Sequence, residues 1–113
     1  MSLSLKTRKV EDVVVLDLSG KLTIGEPVLQ LRETLRTFTT EGARKFILNL
    51  GDVGYIDSSG LAVLIETMQG VEEYGGMFAL AGMQETVRSI FEIARLDQVF
   101  RIFPDVNSAL AAS

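Results

Sequence analysis

The sequence turns on Tyr55-Ile56-Asp57-Ser58-Ser59-Gly60-Leu61, which runs on into Ala62-Val63-Leu64-Ile65-Glu66. A hydrophobic strand stops here and a helix begins. Asp57 sits where an N-cap belongs, because its carboxylate accepts hydrogen bonds from the first free helix amides. Ser58 and Ser59 then fall in the first helical turn, which holds unpaired N–H groups and the positive end of the helix dipole. A phosphate is favoured at such a place, and it would add roughly −2 charge to a surface loop. The plainer reading is a serine-rich helix start with no further role.

Upstream of this junction, Phe46-Ile47-Leu48-Asn49-Leu50 predicts a buried strand, followed by a loop at Gly51-Asp52-Val53-Gly54. Downstream, Leu61, Leu64, Ile65 and Met68 recur at i, i+3, i+4 and i+7, which predicts a helix from Ser58 to Tyr74 with Met68 in the core. Gly75-Gly76 closes it. Nearer the N-terminus, residues 3–10 alternate loosely, and Lys6, Arg8 and Lys9 suit an edge strand, where charge discourages stray pairing. After the Val10-Glu11-Asp12 corner, Val13-Val14-Val15-Leu16-Asp17-Leu18 is nearly continuous, as in a strand covered on both faces. The short gap between these strands implies an antiparallel hairpin. Ser19-Gly20 is expected to end the second strand, and Lys21-Leu22-Thr23-Ile24-Gly25 to form a loop.

Pro27 is placed as an N1 proline, and Val28, Leu31, Leu35 and Phe38 form the apolar stripe of the helix it opens, with Gly42 at the exit. Met77-Phe78-Ala79-Leu80-Ala81 reads as a further strand. A third helix is predicted over about Gln84–Arg95, with Val87, Ile90, Phe91 and Ala94 facing inward. Val99-Phe100-Arg101-Ile102 reads as a last strand. Pro104 and Asp105 then open a short helix containing Val106, Ala109 and Leu110. Strands alternating with helices imply β-α-β units. The expected fold is therefore α/β: one domain over residues 1–113, with a mostly parallel sheet of four or five strands, one antiparallel edge strand and about four helices. Functional groups in such sheets gather beyond the C-terminal strand ends. That places the expected loops 19–25, 51–60 and 81–84 at one end of the molecule.

Composition narrows the chemistry. At 113 residues, 47% hydrophobic and 23% charged, the chain is the size and composition of one globular domain. No apolar run approaches the roughly 20 residues of a membrane span. Met1-Ser2-Leu3-Ser4-Leu5-Lys6 lacks the pattern of a signal peptide, so a cytoplasmic location is expected, with no membrane partner. Zero Cys excludes disulfides and thiolate chemistry, and zero His excludes a Ser-His-Asp triad and any His metal site. A net charge of −4, from 11 basic and 15 acidic residues, opposes direct nucleic-acid binding.

A nucleophilic serine needs a base, and Asp57 is better placed to cap than to take a proton. Gly51-Asp52-Val53-Gly54 lacks the length and lysine of a P-loop, and a pairing of Asp52 with Asp57 for a metal is weak. No catalytic residue, cofactor or metal site is indicated, and no enzyme activity. A phosphoacceptor needs only an exposed hydroxyl in a tolerant setting, since the catalytic groups belong to the kinase. The same helix start also suits an anion site in a small-ligand or nucleotide sensor.

At Asp57-Ser58-Ser59-Gly60-Leu61 the chain resembles the STAS domains of the bacterial anti-sigma factor antagonist family. The likeness extends to Leu18-Ser19-Gly20 before the first long helix, to Leu48-Asn49-Leu50 before the motif, and to the length and order of elements. The resemblance implies a partner switch that regulates transcription. In that family the unphosphorylated antagonist binds an anti-sigma factor that is also a serine kinase, and a sigma factor is released. Phosphorylation of the serine after the motif aspartate, here Ser58, ends the binding, and a metal-dependent serine phosphatase resets it. Ser59 is the second choice of acceptor. Asp57, Ser59 and Gly60 would shape the loop and helix start, and Leu22, Thr23, Ile56, Leu61, Ala62 and Ile65 would meet the partner. Thr23 stands where the family usually carries an acidic residue. Related domains also serve as scaffold modules in stress-signalling and transport complexes.

Overall fold

The computed structural model describes residues 3–113, so Met1 and Ser2 lie outside the described residues. The elements run β1 (Ser4–Val10), β2 (Val13–Leu22), α1 (Glu26–Thr40), β3 (Lys45–Ile56), α2 (Ser58–Glu73), β4 (Met77–Ala81), α3 (Glu85–Ile93), β5 (Arg101–Phe103) and α4 (Val106–Ala111). One five-stranded sheet has the order β1-β2-β3-β4-β5. β1 is an antiparallel edge on β2, and the remaining neighbours are parallel. This is the expected architecture, and its cause is visible in the strands. Val13, Val14, Val15 and Leu16 of β2 are all buried because helices cover both faces of the sheet.

The two faces are unequal. Val14, Leu16 and Leu18 join Phe46, Leu48, Phe78 and Leu80 beneath α1, α2 and α3, where Leu31, Leu35, Leu64, Met68, Val71, Val87 and Phe91 meet them. Phe100 closes this core, with its ring 5.6 Å edge-on from Phe91 and 6.3 Å from Phe78. On the opposite face Val13, Val15, Ile47, Met77, Ala79 and Ala81 pack against α4 through Ala109, Val106 and Leu110. Small residues on β4 let that short helix lie close to the sheet.

The strands around the motif run further than the glycines suggest. β2 does not stop at Ser19-Gly20, and Gly51-Asp52-Val53-Gly54 is not a loop. Both strands continue in parallel until Leu22 faces Ile56. The pairing slips twice on the way, between Asp17 and Ser19 and between Gly20 and Lys21, and each slip places an extra residue in β3. Bulges of this kind bend a strand and tolerate glycine. The first is stitched by Asn49, whose amide donates to Asp17 Oδ1 at 2.8 Å and whose Oδ1 accepts from the Gly51 amide at 3.1 Å. Arg8 holds the other side of the Asp17 carboxylate at 2.8 Å. The extension carries β3 beyond the end of β4 and delivers residue 57 above the end of β2.

Smaller differences have similar local causes. Pro27 is the second helical residue of α1, because Gly25 is the N-cap. Ala94 is exposed, since it is the C-cap of α3 rather than part of its inward stripe. β5 begins at Arg101; Val99 lies in the turn that returns from Leu96 and is 50% exposed.

Candidate functional site

The site is built where β3 ends and α2 begins. Asp57 is the N-cap of α2 in extended conformation, and its Oδ1 accepts from the Gly60 amide at 3.0 Å. Its Oδ2 accepts from the Ile24 amide at 2.9 Å, which ties the loop between β2 and α1 to the start of α2. The Asp57 amide in turn donates to the Leu22 carbonyl at 3.2 Å. The Gly60 amide, and after it the Ile24 amide, hold the Asp57 carboxyl below the usual carboxylate range. Asp57 is thus an ionised bracket, with both oxygens engaged by backbone, and not a base for either serine.

Gly60 has a steric reason. A Cβ there would stand 2.6 Å from the Leu22 carbonyl oxygen and 2.8 Å from Ile56 Cγ2. Only a residue without a side chain lets the first turn of α2 seat on the end of β2. Because that turn sits so close, Leu22 and Ile56 are 0% and 1% exposed. Both were expected to face a partner. Both instead form the floor under α2, a consequence of the longer strands.

Ser58 is the first residue of α2 and is exposed; Ser59 is half-buried. Of the other expected surface residues, Ala62 is exposed, Thr23 is half-buried, and Leu61 and Ile65 are half-buried against the core. Ser59 and Ala62 line a groove of about 370 Å³ with Ile24, Gly25, Val28, Leu29 and Arg32. Arg32 donates across the α1–α2 boundary to Glu66 at 3.1 Å. Ile24 is 75% and Leu29 59% exposed, and neither was singled out from the sequence. The signal was present: Leu29 lies off the Val28–Leu31–Leu35 stripe, and Ile24 is a large apolar residue in an otherwise polar turn beside a glycine. The loop after β4 stops short of this end, its Gln84 side chain donating to the Gly51 carbonyl within β3 at 2.8 Å. All three connections leave the C-terminal ends of parallel strands, but residues 19–22 and 51–56 are strand rather than loop, so the site is made by the turn at 23–25 and the start of α2. Among the described residues no cluster of acidic side chains is arranged to hold a metal, and no helix is long and apolar enough to cross a membrane.

A mixed sheet of consecutive strands, with a serine displayed at a capped helix start beyond its parallel strand ends, defines the class as a small α/β domain. Within that class the chain belongs to the STAS domain family, whose model matches residues 4–109. It is similar to the anti-sigma-B factor antagonist of Staphylococcus aureus, 24% identical over 90% of this chain and 94% of that one. Its fold matches that of a Thermotoga maritima protein assigned as an anti-sigma factor antagonist, with a TM-score of 0.90 and 28% identity over 96% of this chain and 92% of that one. It also matches the anti-sigma factor antagonist SpoIIAA. The unphosphorylated form gives a TM-score of 0.74 and 25% identity over 96% of this chain and 94% of that one. The phosphorylated form gives 0.76 and 23% over 96% and 98%.

Proposed function

We propose that the chain is an anti-sigma factor antagonist, a non-enzymatic cytoplasmic regulator switched by phosphorylation of Ser58. Unphosphorylated, it binds an anti-sigma factor that is also a serine kinase, and a sigma factor is set free. The observation that carries this reading is the exposed Ser58 hydroxyl at the first position of α2, beside the groove and the apolar Ile24 and Leu29. The family relatives named as antagonists, and a SpoIIAA that exists in both phosphorylated and unphosphorylated forms, support it.

In the transfer step Ser58 Oγ attacks the γ-phosphorus of the kinase's ATP. The Oγ–P bond forms, the bond to the ADP oxygen breaks, and the hydroxyl proton passes to a base on the kinase. A metal-dependent serine phosphatase reverses the state by adding water and releasing phosphate. Ser58 is preferred to Ser59 because the latter is half-buried in the groove wall. A dianion set against a docked partner acts by repulsion and desolvation, and each tenfold of lost affinity corresponds to about 1.4 kcal/mol.

The test uses the anti-sigma factor kinase of the same organism. Ser58→Asp weakens its binding by about tenfold or more while the fold survives. Ser58→Ala binds but takes no phosphate. Parent-like affinity of Ser58→Asp would end the charge-switch reading, and continued single-site labelling of Ser58→Ala would move the acceptor to Ser59.

A further inference from the structure

The Asp57 carboxylate serves two elements at once. One oxygen caps α2 through the Gly60 amide, and the other holds the Ile24 amide, 33 residues away in sequence. Between the buried Leu22 and the buried Pro27 and Val28, the Thr23–Gly25 turn is tied at its far end by the Leu29 amide donating to the Gly25 carbonyl at 3.1 Å, and at Ile24 by the Asp57 carboxylate. The Ile24 side chain is 75% exposed and so is not anchored by packing. Gly25 has φ +102° with nothing within 4 Å of a notional Cβ, and it caps α1 without a side chain. The position of Ile24 on the groove rim therefore depends on a single side-chain oxygen of the residue next to Ser58.

We propose that Asp57 is the positioning residue that carries the charge state of Ser58 to the Ile24 turn, so that a phosphate on Ser58 loosens Ile24 from the groove rim. This rests on the reading of Ser58 as the phosphoacceptor. The phosphate and the carboxylate are neighbours in sequence, and both are drawn to the amides of the first turn of α2. The Ser59 and Gly60 amides that already favour ionised Asp57 are the ones a phosphate on Ser58 competes for. Like charges repel at this distance, and the carboxylate gives up its more peripheral contact, the one to Ile24. The phosphate then acts in two places. It sets a dianion on the docking surface, and it disorders the apolar residue that flanks Val28, Leu29 and Ala62 in the groove.

The test needs no kinase. The full chain is made with phosphoserine encoded at position 58, and amide hydrogen exchange at Ile24 is followed by NMR beside the unmodified chain. The same pair is made on Asp57→Asn. That substitution keeps one carbonyl oxygen for the Gly60 amide and turns the Ile24-facing oxygen into a donor that cannot accept it. In the parent, phosphate speeds Ile24 exchange by about tenfold or more. In Asp57→Asn exchange is already fast, and phosphate changes it by less than about twofold. The amides of Val63 and Leu64, deep in α2, stay protected throughout and report an intact fold. Unchanged Ile24 exchange in the phosphorylated parent overturns the proposal, and so does an equal acceleration in Asp57→Asn. If Asp57→Asn does not fold, Asp57→Ser, which also retains a capping oxygen, takes its place. Absence of phosphate on the chain in cells would remove the proposed function and leave this coupling intact. An uncoupled Ile24 would leave the phosphoacceptor reading intact.

Discussion

Adding one methyl group at Gly60 tests how α2 is seated. In Gly60→Ala the new Cβ lies 2.6 Å from the Leu22 carbonyl oxygen, 2.8 Å from Ile56 Cγ2 and 2.9 Å from Leu22 Cγ. The nearest of these is backbone, and the same carbonyl accepts the Asp57 amide at 3.2 Å. It cannot retreat without breaking the junction, so α2 must lift. Overpacking costs about 1–3 kcal/mol, and with backbone as the nearest contact the upper part, about 2–3 kcal/mol, applies; alanine recovers about 1 kcal/mol of that as the better helix former. The net loss is about 1–2 kcal/mol, or roughly 4–8 °C in Tm for a domain of this size. Gly70→Ala is the control on the same helix. Gly70 is exposed with nothing within 4 Å, so the propensity gain stands alone and Tm rises by about 2–4 °C. Thermal unfolding followed by circular dichroism reads both. A Gly60→Ala chain that melts with the parent, or moves upward with Gly70→Ala, would refute the close contact as the reason for this glycine.

Asp57→Ala removes both the cap and the tie to Ile24, and urea unfolding is expected to show a loss of about 1 kcal/mol, with Asp57→Asn retaining most of it. The chain is also expected to be acid-labile. Asp57 and Asp105 are lowered by the backbone amides of Gly60 and Ser108, and Asp17 by Arg8. Their folded values lie below the unfolded value of about 3.9, so the folded state binds fewer protons and the stabilisation is complete above about pH 4. It is lost as pH falls through the folded values. A urea midpoint that did not drop between about pH 4 and pH 2 would contradict this.

The periodic parts of the fold were legible. The stripes Val28–Leu31–Leu35 and Leu61–Leu64–Met68 and the apolar run Val13–Leu16 carry their partners in their spacing, and Asp57 announces the helix start. What could not be read was pairing at a distance. Gly20, Gly51 and Gly54 look like breakers locally, yet parallel pairing with bulges carries both strands through them. That is why Leu22 and Ile56 read from the sequence as residues available to a partner and are instead buried. Ala94 shows the same limit at a helix end: the inward stripe continues in the sequence, but the helix has already stopped at Ile93. The contact of Asp57 with Ile24 joins residues 33 apart and has no local sign. The exposed pair Ile24 and Leu29 had one, in apolar residues that fit no stripe.

The central claim concerns one hydroxyl. Intact-mass spectrometry of the chain purified from its own cells, with site mapping across growth and stress conditions, tests it most directly. The account predicts a single added phosphate on Ser58 in part of the population. A chain that is never phosphorylated, or that carries its phosphate elsewhere, would contradict it.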